Sequence, residues 1–273
     1  MTLVLAMGVL LAVFPDMEDR SVETKTFPGA HLVIVDNVNG SIEVTGEPGN
    51  DVRMEVTKRI EAESAERMDA AKREVKLDEQ QSADTLKLYV DGPFRCNCDD
   101  HSGRRGHQGY TVTYDFKLRI PTGARIDLYT VNHGNISVHN VAGDFDVRNV
   151  NGDIEMADVA GSGKAHTVNG PVKVSYTANP KGPLSFESVN GKIDVAFRKG
   201  FGAEARMETL NGGMYTDFEV SAAAIEPAGA TRQNGKFVLR RGSATAVRIG
   251  PGGPELRMKT INGDIFIRDR EKQ

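Results

Sequence analysis

The sequence predicts an all-β fold, a β-solenoid or β-roll of stacked short strands with Asn-Gly turns, carrying a small α+β insertion or cap. Three observations lead there. A unit of the form Val-Asn-Gly-x-Ile-x-Val recurs along the chain, its glycines keep a nine-residue spacing through the centre, and 29 glycines go with no tryptophan. Repetition at a fixed short period marks a chain built from stacked units rather than one irregular core.

The clearest copies occupy residues 38–44, 150–156, 168–174, 189–195, 210–216 and 261–267, with an inserted residue in the copy at 131–138 and a weaker copy at 233–239. Half-copies without the Asn fall at 141–147 and 159–165. The motif glycines are consequently Gly134, Gly143, Gly152, Gly161 and Gly170, nine apart, then Gly191, Gly212, Gly235 and Gly263. An apolar residue stands two before each glycine and usually two and four after it, as Val141, Phe145 and Val147 do, and as Val150, Ile154 and Met156 do. Residues two apart in a strand face the same way, so all three are expected to point inward while Asp146 or Glu155 points out.

Asn-Gly supplies the corner because Gly accepts positive φ and Asn tolerates it. Nine residues leave about five for a strand and about four for a corner. Two units then make a rung of about 18 residues, stretched to about 21 further on by loops such as 177–183. Stacking lets each rung cover the apolar row of its neighbour. Burial at roughly 1.5–3 kcal/mol per large aliphatic side chain offsets the ordering entropy only in the stack. Small residues at inward positions, Gly163 and Ala165, predict a locally narrow interior. An antiparallel sandwich or twisted sheet is the alternative, and it has no need of a strict nine-residue spacing.

A different kind of sequence interrupts the repeat at about 50–120. Residues 51–59 alternate as a strand, and 61–79 place Ala65, Met68, Ala71 or Lys72, and Val75 at helical spacing. A strand is expected at 85–90, a polar loop to about Gly109, and a strand pair over 110–120 ending at Pro121. The insertion is expected to cap a sheet face or the open end of the stack, since bare edges invite aggregation.

Residues 1–14 form a hydrophobic run that stops at Pro15. It is short of the roughly 20 residues that span a bilayer. It reads as the apolar core of an export signal or as a buried N-terminal strand or helix. The predicted organisation is a possible signal peptide or hydrophobic segment at 1–20 and a single domain at 21–273. Membrane association is expected only through the first segment if it is uncleaved. A net charge of −4 gives no electrostatic footprint for nucleic acid.

Chemistry is sparse. Cys96, Cys98, His101 and His107, with Asp99 and Asp100, have the composition of a zinc or copper site, but structural zinc sites space their cysteines two to four residues apart. A polar hairpin loop explains the same residues, so no metal and no cofactor is predicted, and these four remain candidates by residue type alone. A disulfide between Cys96 and Cys98 would close a very tight ring. His31, His133, His139 and His166 are scattered, and His133 reads as a bulged turn residue with a ligand role as the alternative. Ser137, Ser162, Ser175 and Ser185 lack a nucleophile-elbow context. Calcium-binding rolls need an acidic ladder. The residues following the glycines here are Asn135, Asp144, Asp153, Ser162, Pro171, Lys192 and Gly213, which form none. Gly103, Gly106 and the run 250–253 read as ordinary turns. No catalytic residue is assigned.

The repeated units, together with the entry segment Phe116-Lys-Leu-Arg-Ile-Pro-Thr-Gly-Ala124, resemble the bacterial adhesin-like β-repeat family (DUF4097, a domain of unknown function) from about Ala30 to Arg268. The resemblance implies a solenoid-like fold and a place in the periplasm or cell envelope, and it brings no established catalytic residues. The expected role is non-enzymatic, an extracytoplasmic binding or scaffolding surface for a protein or glycan partner, with self-association open. The alternatives are a polysaccharide-acting enzyme using surface carboxylates and an envelope sensor or regulator.

Overall fold

The computed structural model describes residues 17–95, 108–222, 231–233, 236–238 and 244–272. They form a mostly β structure with one short α-helix inserted near the start. The first part contains β1 (Met17–Pro28), β2 (Leu32–Asp36), β3 (Ile42–Glu47), β4 (Asp51–Ala62), α1 (Ala65–Glu74), β5 (Lys76–Ser82), β6 (Thr85–Asp91) and β7 (Tyr110–Pro121). The regular array follows as β8 (Arg125–Thr130), β9 (Ile136–His139), β10 (Phe145–Asn149), β11 (Ile154–Val159), β12 (Gly163–Asn169), β13 (Val172–Tyr176), β14 (Leu184–Asn190) and β15 (Ile193–Phe197). The last part holds β16 (Ala203–Asn211), β17 (Met214–Thr216), β18 (Val220–Ala222), β19 (Thr231–Gln233), β20 (Lys236–Val238), β21 (Ala244–Ile249), β22 (Glu255–Asn262) and β23 (Ile265–Asp269).

Two large sheets result, and β19 and β20 form a separate antiparallel pair. One sheet has ten strands in the order β1-β4-β7-β3-β9-β11-β13-β15-β23-β17. The other has eleven, in the order β18-β21-β16-β22-β14-β12-β10-β8-β2-β6-β5. Through the array the chain alternates between the sheets, and successive strands within each sheet run parallel. Phe145 pairs with Gly163 and Ile154 with Val172, both 18 residues on, and Gly163 with Leu184 and Val172 with Ile193, both 21 on. The segments around Gly143, Gly152, Gly161 and Gly170 therefore lie in parallel register, with no hairpins between them. A rung below means one strand of the eleven-stranded sheet and the strand of the ten-stranded sheet that follows it.

The core lies between the sheets. Phe145, Val147, Leu184 and Phe186 from one side face Ile154, Met156, Val172, Val174, Ile193 and Val195 from the other, all of them buried. Ala165 sits in register between Val147 and Phe186, whose larger side chains fill the space beside it.

Rung order departs from chain order at both ends. β2 and β3 lie between the β6–β7 rung and the β8–β9 rung, and β22 and β23 lie between β14–β15 and β16–β17. Nothing in the spacing of the repeats announces these insertions, because any rung offers its neighbours the same edge.

The insertion differs in detail from the sequence expectation. The helix is confined to Ala65–Glu74, with Glu61 and Ala62 belonging to β4 and Lys76–Ser82 forming edge strand β5 against β6. Ser64 fixes its start, the hydroxyl accepting from the backbone N–H of Arg67 at 3.3 Å, and Val75 ends it in extended geometry. Met68 and Ala71 are buried, as the helical spacing requires. Residues 110–120 form one continuous strand, not a pair, because β4 runs antiparallel along residues 110–119 of β7. With β1, these strands extend one end of the ten-stranded sheet. Met17–Arg20, the end of the 1–20 segment, lie in β1 and pair with residues 59–62 of β4.

Candidate binding surface

One corner of the stack repeats most faithfully, and each position of the motif there has a separate task. The asparagines stack into a ladder. Nδ2 of Asn151 donates to Oδ1 of Asn132 at 3.1 Å, Asn169 to Asn151 at 2.8 Å, Asn190 to Asn169 at 2.8 Å, Asn262 to Asn190 at 2.7 Å and Asn211 to Asn262 at 2.7 Å. The order of the ladder repeats the insertion of the last rung between Asn190 and Asn211.

The glycines stack beside them, for a different reason than positive φ. Gly152, Gly191, Gly212 and Gly263 all lie outside the left-handed region. A Cβ on any of them would come within 2.0–2.2 Å of the carbonyl oxygen of the preceding glycine in the stack. Close approach of rung to rung excludes a side chain. Positive φ in this corner belongs to Gly40, Gly170 and the inserted His133, whose φ of 55° is that of a bulged turn residue.

A buried polar row, absent from the sequence expectations, completes this corner. Asn37, Thr130, Asn149, Thr167, Ser188, Thr209 and Thr260 stand two residues before the motif Asn, and all are buried. The hydroxyls of Thr130, Thr167, Ser188, Thr209 and Thr260 each donate at 2.9 Å to a glycine carbonyl of the adjacent rung, and Asn149 Nδ2 does so at 3.0 Å. The signal was a hydroxyl or amide residue preceding every aliphatic-Asn-Gly triplet. Replacing Thr167 by the isosteric valine leaves the Gly152 carbonyl without this donor, and we expect a loss of about 1–2 kcal/mol in denaturant unfolding.

The aliphatic residue between these rows turns outward, which corrects the expectation that all three apolar positions face in. Val131, Val150, Val168 and Val189 are half-buried, Ile261 is 38% exposed and Leu210 72%. Among the described residues only the half-copies bury this position, at Val141 and Val159. Alternation explains the difference: with the polar residue facing in to reach the glycine carbonyl, its successor must face out.

The residue after the glycine also has a structural task. Oδ1 of Asn135, Asp144 and Asp264 accepts the backbone N–H of Asp153, Ser162 and Gly213 on the neighbouring rung, at 3.0, 2.9 and 2.7 Å.

On the outer face of the eleven-stranded sheet, register brings Tyr129, Arg148, His166, Glu187, Lys259 and Glu208 into one row, one side chain per rung. Arg148 reaches Asp127 at 3.1 Å and Asp146 at 3.2 Å, His166 lies 3.8 Å from Glu187, and Lys259 lies 3.5 Å from Glu208. The ten-stranded sheet presents Glu43, Ser137, Glu155, Lys173 and Asp194 in a similar row. The Glu155 carboxylate holds the Lys173 ammonium above its ordinary range through a 2.9 Å contact.

Two shallow grooves lie near the insertion. The first, about 280 Å³, is lined by Glu43, Thr45, Glu47, Lys117 and Arg119, and Glu47 is paired with both Arg53 and Arg119. The second, about 320 Å³, has Val56, Val75, Leu77 and Tyr114 along it with Lys58, Lys72 and Lys76. Burial pushes the Lys58 ammonium down, and its Nζ donates to the Val75 carbonyl at 2.7 Å.

Cys96, Cys98, His101 and His107 lie outside the described residues, as do Asp99 and Asp100. The described histidines are not brought together: His31, His133, His139 and His166 sit on separate rungs or loops. Among the described residues no three His, Cys, Asp or Glu side chains cluster to hold a metal ion. Nor, among them, is any helix long and apolar enough to cross a membrane. Ser162, Ser175 and Ser185 are engaged in local bonds, to Gly182, Asp158 and Glu187 respectively.

Fold and surface together define an all-β repeat protein with a helical insertion. No protein-family model matches the chain, and no curated protein matches it. Among solved structures it is similar, at 11% identity, to a "putative cell adhesion protein" from Clostridium sporogenes ATCC 15579, with a TM-score of 0.44 over 92% of this chain and 100% of that one. A "putative adhesin" from Bacteroides fragilis NCTC 9343 gives 11% identity and a TM-score of 0.41 over 90% and 97%. Another from Parabacteroides merdae ATCC 43184 gives 10% identity and 0.28 over 91% and 95%. Likeness at this level assigns neither family nor activity.

Proposed function

We propose that this chain is an extracytoplasmic, non-enzymatic β-solenoid that offers a binding or scaffolding surface to a protein or glycan. The observation that carries the reading is the row Tyr129, Arg148, His166, Glu187, Lys259 and Glu208, set one per rung on a face whose strands are locked in register. Strand spacing puts these side chains about 4.8 Å apart. A ladder of that kind gives a flat, rigid recognition surface whose residues can vary without touching the interior. The hydrophobic run at 1–14 supports export, and the pairing of Glu47 with two arginines speaks against its use as a free catalytic carboxylate.

The test compares two triple variants for capture of envelope proteins and binding to a glycan array. Tyr129→Ala/Arg148→Ala/Lys259→Ala alters the eleven-stranded face, and His139→Ala/Glu155→Ala/Lys173→Ala alters the ten-stranded one. Arg148, His139, Glu155 and Lys173 are exposed and Tyr129 and Lys259 half-buried, so the first four substitutions should each change stability by no more than about 0.5 kcal/mol. We expect the first variant to lose the species retained by the unsubstituted chain and the second to keep them. Identical retention by both rejects this face as the binding surface.

A further inference from the structure

We propose that the closing rung, Glu255–Asp269, is exchangeable between copies of this chain, so that two copies can each fill the other's slot and form a reciprocally swapped dimer. The slot lies between the β14–β15 rung and the β16–β17 rung, and β22 and β23 pair with both of its walls in parallel. Both walls share one register. Leu256 lies opposite Leu184 on one side and Ala205 on the other, and Asn262 lies opposite Asn190 and Asn211.

The repeating polar contacts cross both boundaries unchanged. Thr260 donates to the Gly191 carbonyl and Thr209 to the Gly263 carbonyl, both at 2.9 Å, and the asparagine ladder passes through Asn262 at 2.7 Å each way. β16 and β17 precede β22 and β23 in the chain, so the filling segment comes after both of its walls in sequence. A wall in this register is satisfied by the same segment from any copy.

The connection suits exchange. Residues 250–254, Gly-Pro-Gly-Gly-Pro, link β21 to β22 by crossing the single strand β16. Gly250 and Gly252 adopt positive φ there, at 51° and 79°, to make the turn. Opened out, five residues span up to about 17 Å, enough to reach a neighbouring molecule. The closing rung's buried residues Leu256, Met258, Thr260, Ile265 and Ile267, and the contact of Arg268 with Asp194 at 2.7 Å, would be reproduced in the swapped partner. An exchanged element recovers its native contacts in either arrangement, which makes swapping a low-cost route to a dimer.

The full chain carrying Asn190→Cys and Asn262→Cys, in a Cys96→Ser/Cys98→Ser background, tests this. Adjacent parallel strands hold these Cα atoms near the separation a disulfide needs. The reduced protein is refolded over a range of concentrations and then oxidised. We expect disulfide-linked dimers whose ratio to monomer rises roughly tenfold per tenfold rise in free monomer at low conversion. Intrachain bonds alone at every concentration, or a dimer that separates in non-reducing denaturant, overturns the proposal. The unsubstituted chain refolded at high concentration gives a second reading if the cysteine variant does not fold. A dimer that persists for hours after dilution is expected, because exchange back requires withdrawing a rung. Monomer alone, or immediate dissociation, counts against it.

Discussion

Gly191→Ala is expected to cost about 3 kcal/mol or more and to leave the stack broken between the β12–β13 and β14–β15 rungs. The added Cβ would lie 2.0 Å from the Gly170 carbonyl oxygen and 2.4 Å from its carbon, both backbone atoms of the adjacent rung. No rotamer change can relieve such a contact, so the rungs must separate, straining the hydrogen bonds of Asn190 to Asn169 and of Ser188 to the Gly170 carbonyl. Overpacking of ordinary side chains typically costs about 1–3 kcal/mol, and here the obstacle is main chain. Gly123→Ala is the control, since a Cβ there meets nothing within 4 Å and the backbone is not left-handed. It should stay within about 0.5 kcal/mol of the unsubstituted protein. Urea midpoints for the two variants, measured side by side, check the steric account; equal midpoints would remove it.

Phe197→Ala is expected to lose about 3–5 kcal/mol. The corner opposite the asparagines is closed over its later rungs by a column of aromatic rings, stacked from Tyr176 to Phe201 and tilted at Phe218. Tyr176 lies 5.0 Å from Phe197 between centroids, Phe197 lies 3.7 Å from Phe201, and Phe218 follows at 5.9 Å. Earlier rungs fill the same corner with Val141 and Val159, the latter opposite Tyr176. Removing the ring from the middle of the column leaves a cavity flanked by two others that are themselves fully enclosed, with little freedom to collapse. Phe197→Leu should recover most of the stability, apart from a stacking contribution of about 0.5–1.5 kcal/mol. Thermal and denaturant unfolding of both variants distinguishes volume from stacking; a Phe197→Ala protein as stable as the parent would show that the column does not close the corner.

The first effect arises at the corner that repeats most faithfully, and the regularity of the repeat is what made the architecture readable. Alternation and the 18-residue register were accessible because parallel neighbours impose one spatial period, so Val147, Ala165 and Phe186 must recur at matching offsets. The limits of the helix were harder to place: Val75 completes the helical spacing, whereas Leu77, two residues on, fits strand spacing, and its strand state depends on pairing with Val90 of β6. The direction of the aliphatic row was misjudged because Val150 and Leu210 look like core residues by type. Their neighbours Asn149 and Thr209 take the inward place only because a glycine carbonyl waits on the next rung.

By itself, then, the sequence determined a mostly β chain of repeating half-buried strands, its corner residues and the presence of a helical insertion, since these depend on local period and on side-chain size. The tertiary structure alone decided the order of the rungs, with β2–β3 and β22–β23 taken in between earlier and later ones, and the outward turn of one aliphatic row. The physical reason is the sameness of the repeat. When every rung presents the same ladder of amides, glycines and apolar rows, local pattern specifies how rungs join, and only the full set of contacts at the ends specifies which rung joins which.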